Sequence, residues 1–280
     1  MSKLKEIKKN LKKIVKQKLD DIFEYPLVEI RDQRGQQAPS EDDFLIPPVG
    51  YQTCVDNRFG KTHAKEILRF RSLNSTLDFI LFDDRKMNEY MEAVWSQHLI
   101  YPIFSNAKFG PMKSDIFRYC ILYEKGGYYF DINKGCRIPL RHLHSKENEG
   151  VISFETNWLG IPPDFRSLAY LQYPTKYIVQ FGLGFVKRHV VLEKTIENIC
   201  YCYKFLKNKV FENPREAIVM FTGPGIFTKT VRELIDKGID PKLSQAGIDF
   251  NGQALFMEGS HIRYRTSPPY WSFKNSIIVS

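Results

Sequence analysis

The residues of this sequence best suited to chemistry are acidic and amide side chains that directly follow apolar runs. Asp83 and Asp84 follow the run LDFILF, whereas Asp131 follows YYF and opens the tripeptide Asp-Ile-Asn that ends at Asn133. In an Asp-X-Asp pattern at a strand end, two side-chain oxygens can point to one place while the middle side chain faces the core. Mg²⁺ and Mn²⁺ prefer such oxygen ligands together with phosphate and water. The pattern predicts a site in which a divalent cation neutralises a diphosphate leaving group.

Each of these residues also has a purely structural alternative. Asp and Asn end many strands because their side chains stabilise turns, so Asp-Ile-Asn alone is weak evidence for a metal site. Asp83 and Asp84 precede a predicted helix, and Asp is a favourable N-terminal cap. One of the pair can cap that helix while the other reaches a nucleotide, and the sequence leaves open which does which.

The elements that must position these residues follow the order strand, helix, strand, helix. We predict a strand in FLIPPVGYQTC, a helix in KTHAKEILRFRSLN, a strand in LDFILFDD and a helix in RKMNEYMEAVW. This order is typical of a parallel sheet covered by helices. Ligands of such sheets bind beyond the carboxyl ends of the strands, so Gln52 and Thr53 join Asp83, Asp84 and Asp131 as site candidates.

A third predicted helix leads into the strand that ends on Asp131. It covers residues 113–123, and Gly126 suits the left-handed residue that ends a helix. Asp115 and Arg118 are three residues apart and therefore neighbours on one helix face. Aromatic residues after Gly-Gly favour a strand. Further along, VISFE predicts a strand, HVVLEKTIENICYCYKFL predicts a helix, and TGPGIFT predicts a turn that leads into the helix KTVRELIDKG.

Length and composition indicate a single large domain. The chain has 280 residues, of which 43% are hydrophobic, so it can bury one sizeable core. No apolar run approaches the roughly 20 residues that span a bilayer, and the basic N-terminus is not followed by a signal-peptide core. We therefore expect a protein that is neither secreted nor membrane-spanning. Five cysteines without a metal-binding spacing indicate free thiols in a reducing compartment.

Much of the formal net charge of +9 lies in the first residues of the chain, MSKLKEIKKNLKKIVKQKL. Apolar residues recur there at nearly helical spacing, which predicts a basic amphipathic helix over residues 1–25. Two interpretations stay open: a solvated terminal helix, or contact of residues 1–20 with an anionic membrane surface, where each lysine contributes roughly 1 kcal/mol. No motif supports nucleic-acid binding. Residues 26–43 read as a polar linker and residues 44–280 as the folded body.

The run from Lys113 to Asn133, K-S-D-x-x-R-Y followed by G-G-x-Y-x-D-x-N, resembles the sugar-binding region of the DXD-containing glycosyltransferases. That family includes fungal initiating mannosyltransferases and bacterial polysaccharide enzymes, with the clostridial glucosylating toxins as more distant relatives. IPPVGYQTC is similar to its opening strand, RSLNSTLDFILFDD to its acidic segment and TGPGIFT to its Thr-Gly-Pro turn. The resemblance covers most of residues 44–275 in the family's order.

The resemblance implies an α/β protein with the GT-A glycosyltransferase fold, a Rossmann-like mixed sheet flanked by helices. It implies a retaining enzyme that uses Mn²⁺ or Mg²⁺ to move a hexose or N-acetylhexosamine from a nucleotide-diphosphate sugar. A surface-glycan or lipid-linked acceptor, as in capsule and lipopolysaccharide synthesis, is expected. The expected location is the cytoplasm, with peripheral attachment to the inner face of the membrane through residues 1–20.

The resemblance also implies roles for individual residues. Asp115 and Arg118 would hold the donor sugar, and Asp131 would contact the metal and ribose, which makes these three the catalytic set. Tyr129 would line the donor pocket, and further donor contacts would come from Gln52, Thr53, Asp83, Asp84 and Lys113. Asn133 replaces the usual second Asp of the metal site, and its amide oxygen can bind a hard cation but carries no charge.

Two further features depart from the family's pattern or extend it. His261, near Arg263 and Arg265 in an irregular tail, is a candidate for a further metal or phosphate contact. Cys54 stands where the family often has Trp, so a base would have to stack elsewhere, for example on Tyr51.

The uncharged Asn133 leaves two hypotheses open. One is an active enzyme with weaker metal binding, and the other is a non-catalytic nucleotide-sugar or glycan-binding descendant of such an enzyme. We favour the enzyme because Asp115, Arg118 and Asp131 all remain, and a decayed site would have less reason to keep a polar cluster that costs desolvation energy.

Overall fold

The computed structural model describes residues 27–36, 44–260 and 272–280. The predicted amphipathic helix over residues 1–25 and the three tail residues His261, Arg263 and Arg265 lie outside this part of the chain. No helix within these ranges is long and apolar enough to cross a membrane. The five cysteines form no disulfide with one another.

Within the described ranges, seven strands form one mixed sheet. Its order is β11 (Leu243–Ile248), β7 (Gly150–Trp158), β9 (Gly182–Phe185), β5 (Gly127–Phe130), β2 (Val49–Thr53) and β4 (Asp78–Phe82), with β8 (Lys176–Ile178) beside the far half of β7. Strands β4, β2, β5, β7 and β11 run in one direction, and β8 and β9 run against them. The carboxyl ends of the five co-directional strands therefore lie at one edge of the sheet.

In the part of the chain that the structure describes, three short strand pairs lie outside this sheet. They are β1 (Leu27–Glu29) with β3 (Arg58–Gly60), β6 (Lys134–Cys136) with β12 (Ala254–Phe256), and β10 (Val210–Phe211) with β13 (Ser276–Ile277). The first pair corrects the predicted linker over residues 26–43. Residues 27–36 pack on the body: Ile30 is buried, and Gln33 and Phe79 exchange backbone hydrogen bonds of 2.8 Å beside β4.

Helices cover both faces of the sheet. They are α1 (Lys61–Leu73), α2 (Asp84–Trp95), α3 (Ile100–Ser105), α4 (Gly110–Lys125), α5 (Phe165–Tyr170), α6 (Val190–Leu206), α7 (Pro214–Phe221) and α8 (Pro224–Asp236). Because side chains alternate along β5, Tyr129 enters one hydrophobic core and Tyr128 and Phe130 enter the other. The predicted α/β class, a mixed sheet flanked by helices, is confirmed.

The turn predicted over TGPGIFT is shorter than expected. Helix α8 already begins at Pro224, so the turn itself consists of Thr222 and Gly223. Proline is favourable in the first helical turn because its missing N–H would be unpaired there in any case. This early helix start places Thr222 at the carboxyl edge of the sheet, where its hydroxyl donates to Asp115.

The Gly-Gly pair ahead of β5 is required by its surroundings. Gly126 ends α4 with a φ of 68°, and Gly127 has a φ of 105°. A Cβ atom on Gly127 would lie 2.5 Å from the Val49 carbonyl oxygen of the neighbouring strand. Only glycine tolerates both this backbone conformation and this close approach, so the pair fixes how α4 passes into β5.

A buried histidine at the start of α6 gives the fold an expected acid sensitivity. His189 caps the helix by accepting a hydrogen bond from the Val191 N–H (3.2 Å), and its Nε2 lies 3.0 Å from the Pro241 carbonyl oxygen. Burial lowers the pKa of His189 to about 4. The folded state therefore disfavours the imidazolium, so this stabilisation is complete above the unfolded pKa of about 6.5 and is lost as the pH falls through 4.

We expect acidification from pH 7 to pH 4 to remove up to about 3 kcal/mol of unfolding free energy through this residue. The measurement is urea denaturation at pH 7, 5.5 and 4. His189→Asn retains a capping side chain and cannot titrate, so its stability should fall less steeply with acidification. Equal slopes for the variant and the wild type would contradict the assignment.

Candidate active site

The centre of the candidate site is a buried guanidinium shared by two carboxylates. Arg118 on α4 is 4% exposed, and its Nη2 lies 3.1 Å from Asp115 Oδ1 and 3.2 Å from Asp131 Oδ1. Its Nη1 donates to the Gln180 carbonyl oxygen at 2.6 Å. The guanidinium carbon lies 4.6 Å from the centre of the Tyr129 ring. Arg118 thus joins α4 to the carboxyl end of β5.

The members of this cluster differ in their access to solvent. A third (33%) of the Asp131 side chain is exposed, whereas the Asp115 and Arg118 side chains are nearly covered. Asp131 follows β5 directly, and its N–H donates to the Phe181 carbonyl oxygen at 2.8 Å. Because Asp131 Oδ1 is paired with Arg118, the second oxygen of this carboxylate is the atom best placed to bind a ligand.

Burial and charge act against each other inside the cluster. Burial raises the pKa of Asp115 to about 6, against the lowering effects of Arg118 and of a hydrogen bond from Thr222. Burial also disfavours the Arg118 cation, but Asp131 and Asp115 outweigh this effect and raise its pKa above the ordinary value. Arg118 is therefore charged throughout the range in which proteins are stable, while the pKa of Asp115 stays above its ordinary value.

Two residues that the sequence did not assign to the site hold Asp115 in place. Thr222, in the Thr-Gly-Pro turn, donates to Asp115 Oδ2 at 3.0 Å. The Thr222 carbonyl oxygen accepts hydrogen bonds from Gln180 Nε2 at 3.1 Å and from the Tyr119 hydroxyl at 3.0 Å. Gln180 interrupts the apolar run YIVQFGLGF, which is the one sequence signal that could have indicated its role.

Thr53, Tyr129 and Lys113 lie at the same edge of the sheet. The Thr53 hydroxyl is 2.8 Å from the Tyr129 hydroxyl and 3.5 Å from that of Ser114. The Lys113 ammonium lies 5.3 Å from the centre of the Phe104 ring and interacts electrostatically with Asp84. These predicted donor contacts are therefore grouped around the first turn of α4.

Hydrogen bonding shows which of Asp83 and Asp84 caps the following helix. Asp83 caps α2, because its Oδ1 accepts the Lys86 N–H at 2.8 Å. Asp84 lies in the first turn of the same helix and is exposed, on the side of Lys113. Asp83 therefore has the structural role, and Asp84 is the member of the pair whose carboxylate stays available.

Gln52 does not reach the site, which corrects its assignment as a donor contact. It points to the opposite face of β2 from Thr53, because side chains alternate along a strand. There its Oε1 accepts hydrogen bonds from Nε and Nη2 of the buried Arg71 at 3.0 and 2.9 Å. Tyr51 is 4% exposed and packs in the core near Phe82, so it is not available to stack on a base.

Replacing Gln52 is therefore expected to affect stability and not ligand binding. Gln52→Leu removes the acceptor of two guanidinium donors and should lower the unfolding free energy by about 3 kcal/mol, because Arg71 stays buried. Urea denaturation measures this loss. Thr53→Ala, on the opposite face of the same strand, is the matched control. We expect this variant to weaken nucleotide-sugar binding. Reduced binding by Gln52→Leu at unchanged stability would contradict this assignment.

The backbone of the Asp-Ile-Asn turn is held at three consecutive residues. Besides the bond from Asp131 to Phe181, the Ile132 carbonyl oxygen lies 2.9 Å from His63 Nε2, and the Asn133 carbonyl oxygen accepts the Met257 N–H at 3.0 Å. These contacts come from three different elements of the fold. The Asp131 and Asn133 side chains therefore project from a fixed turn.

The Asp-Ile-Asn turn can bind a divalent cation only if a bound ligand supplies the remaining coordinating oxygens. Asp131 offers one carboxylate oxygen beyond the one bound by Arg118, and Asn133 offers one amide oxygen. No cluster of three or more His, Cys, Asp or Glu residues suited to a metal occurs in the parts of the chain that the structure describes. Mg²⁺ and Mn²⁺ are often held by one or two protein oxygens together with substrate phosphates and water, and the turn meets that requirement.

Lys134, which no sequence pattern assigned to the site, directly follows this turn. The Lys134 ammonium lies 3.2 Å from the centre of the Phe256 ring and 5.1 Å from that of Phe181. Burial lowers the pKa of Lys134, and Asp131 has the largest opposing effect among the nearby carboxylates. The Lys134 ammonium therefore interacts electrostatically with the Asp131 carboxylate.

Comparison with known proteins places the chain among glycosyltransferases. Residues 8–149 match the family described as the glycosyltransferase sugar-binding region containing the DXD motif. Inositol phosphoceramide mannosyltransferase 1 of Schizosaccharomyces pombe is 25% identical over an alignment of 189 residues, which covers 60% of this chain and 58% of that protein. The initiation-specific alpha-1,6-mannosyltransferase of Candida albicans is 24% identical over 230 residues, 74% of this chain and 58% of that protein.

This chain thus spans less than two thirds of the length of these two relatives. Among solved structures, the PaToxG glycosyltransferase matches with a TM-score of 0.43 and 13% identity, over 68% of this chain and 70% of that one.

Proposed function

Because the chain belongs to the family of glycosyltransferase sugar-binding regions that contain the DXD motif, we propose that it is a retaining hexosyltransferase that uses a nucleotide-diphosphate sugar. The observation that carries this proposal is the Asp115–Arg118–Asp131 cluster at the carboxyl edge of the sheet, where open α/β sheets bind their ligands. Two relatives are named mannosyltransferases, so mannose is the first donor sugar to test, followed by other hexoses and N-acetylhexosamines.

Each member of the cluster has a distinct proposed task. Asp115, held by Thr222 and Arg118, accepts hydrogen bonds from hydroxyls of the donor sugar. Arg118 holds both carboxylates in position, and its own side chain is held by the hydrogen bond to the Gln180 carbonyl oxygen. Asp131 presents its more exposed carboxylate to the ribose and the diphosphate. Fixed groups of this kind accelerate transfer by orienting the donor before the reaction begins.

The reaction breaks the bond between the anomeric carbon and the diphosphate oxygen, and the electron pair leaves with the nucleoside diphosphate. The site must therefore provide positive charge near that diphosphate. Asp131 and Asn133 would hold Mn²⁺ or Mg²⁺, which when bound supplies such charge. The acceptor hydroxyl forms the new glycosidic bond with retained configuration, and its proton passes to the departing diphosphate.

The proposed acceptor is a surface glycan or a lipid-linked precursor. The name of one relative includes a phosphoceramide, which makes a lipid acceptor worth testing first. The lysine-rich residues 1–20 would hold the protein to an anionic membrane surface, on the cytoplasmic side, where such acceptors are accessible. Capsule or lipopolysaccharide synthesis would be the corresponding context.

The test of the proposed activity is a donor panel. The full chain is incubated with UDP- and GDP-sugars and Mn²⁺, with and without acceptor, and released nucleoside diphosphate is measured. We expect release from at least one donor, and NMR of the product should show retained anomeric configuration. Absence of release from every donor, by a protein that is folded by circular dichroism, would overturn the proposal.

Asn133 favours a second candidate, a nucleotide-sugar or glycan-binding protein without turnover. It predicts that a donor raises the melting temperature but releases no nucleoside diphosphate. Asn133→Asp separates the candidates, because a second carboxylate should tighten Mn²⁺ binding and increase turnover in an enzyme. A pure binder should gain no turnover from this change.

A further inference from the structure

The turn after β5 carries an unusual balance of charge for a cation site. The sequence Asp131, Ile132, Asn133, Lys134 has one negative and one positive side chain, whereas an Asp-X-Asp pattern followed by a neutral residue has two negative ones. Two changes cause this difference: an amide replaces the second carboxylate, and a lysine follows it. Both changes weaken the binding of a divalent cation at this turn and strengthen the binding of an anion such as a diphosphate.

Lys134 is tied to Asp131 through the backbone. Its N–H donates to the Asp131 carbonyl oxygen at 2.8 Å, which closes the turn. In the pairing of β6 with β12, Lys134 lies directly opposite Phe256. Phe256 is 62% exposed, so the ring that holds the ammonium lies at the surface. The lysine side chain is therefore held at the surface, next to the turn that carries Asp131, and not within the core.

The carboxylates around Lys134 come from three elements of the fold. Asp131 has the largest effect on its charge, followed by Asp249 after β11 and Glu155 on β7. In the parallel pairing of β11 with β7, Ile248 lies opposite Phe154, and Asp249 and Glu155 are the residues that follow this pair. Lys134 thus interacts electrostatically with both Asp131 and this second acidic pair.

We propose that Lys134 binds the diphosphate of the donor directly and supplies positive charge that a cation held by two carboxylates would otherwise supply. This inference rests on the proposed function. A diphosphate that approaches the exposed oxygen of Asp131 enters the field of the Lys134 ammonium, whose partial desolvation by two rings strengthens the attraction. Nucleoside diphosphate binding is therefore only partly dependent on metal.

The test is isothermal titration calorimetry of the full chain with UDP, GDP and inorganic pyrophosphate, in EDTA and in Mn²⁺. For the preferred nucleoside diphosphate, we expect the wild-type dissociation constant in EDTA to stay within about tenfold of that in Mn²⁺. Lys134→Met should weaken binding in EDTA by at least about tenfold, with a smaller loss in Mn²⁺. Lys134→Arg should retain most of the wild-type affinity.

Lys204→Met is the matched control. Lys204 is also held against aromatic rings, 4.2 Å from the centre of the Tyr201 ring, but it lies on α6 outside the site. This variant should bind as the wild type does. A Lys134→Met protein with a lower melting temperature and unchanged affinity in EDTA would show that Lys134 only balances Asp249 and Glu155, which overturns the inference.

The two proposals fail in different ways. Wild-type binding in Mn²⁺ that disappears in EDTA would overturn the role of Lys134 and leave the proposed function standing. Binding in neither medium would overturn the proposed function and this inference with it. Should Lys134→Met fail to fold, the wild-type comparison of EDTA with Mn²⁺ and the Lys134→Gln variant decide the question.

Discussion

Asp131→Ala is expected to lower the release of nucleoside diphosphate by at least about 100-fold, the usual scale for losing a group that stabilises charge in the transition state. Asp131 is the member of the buried cluster with a substantially exposed carboxylate, and it ends the central strand β5. Its removal takes away the proposed metal and ribose contact while Arg118 keeps Asp115 as a partner. The measurement is turnover of the preferred donor at saturating concentration.

Two variants accompany this experiment. Asp131→Asn keeps a hydrogen-bond acceptor for Arg118 but removes the charge, so it separates geometry from electrostatics and should lose nearly as much activity. Asp164→Ala, at an exposed carboxylate before α5, is the control for loss of an acidic residue away from the site. If folded Asp131→Ala keeps more than about a tenth of the wild-type rate, Asp131 is not the charge contact proposed here.

Arg118→Met is expected to lower the unfolding free energy by about 3–5 kcal/mol, the range found when one partner of a buried ion pair is removed. The substitution leaves Asp115 and Asp131 without their shared cation and leaves the Gln180 carbonyl oxygen without its 2.6 Å donor. Donor binding should disappear as well, because Asp115 and Asp131 then lose the shared cation that orients both carboxylates. Urea denaturation and calorimetry measure the two losses.

The stability loss in Arg118→Met should depend on pH. The pKa of Asp115 is already raised to about 6 in the wild type, and removal of Arg118 raises it further. Protonation then relieves the repulsion between the two carboxylates. The folded state therefore gains relative stability as the pH falls, so the loss should be larger at pH 8 than at pH 5.

Arg232→Met is the matched control for a buried arginine. Arg232 is 5% exposed and donates to the carbonyl oxygens of Ile161 and Pro174. Its loss should destabilise the protein without affecting donor binding. A stability loss in Arg118→Met that is the same at pH 5 and pH 8, with donor binding intact, would show that the cluster is structural and not part of a donor site.

Local sequence patterns determined most of the secondary structure and part of the site. Gly126 ended α4 as predicted, and the apolar runs before Asp83 and Asp131 formed strands. The spacing of Asp115 and Arg118 placed them on one helix face, where they form an ion pair. Such features are readable because helix and strand periods act over a few residues and depend little on the rest of the chain.

Only the tertiary structure decided which groups meet around Asp115. Thr222 bonds to it from 107 residues away, and Gln180 fixes Arg118 from 62 residues away. The two faces of β2 likewise separated Thr53 from Gln52, because each face meets different helices. Short-range periodicity specifies which face of an element a side chain occupies. The packing of the elements determines which partners that side chain contacts. This packing depends on the volumes and charges of residues that are distant in the chain.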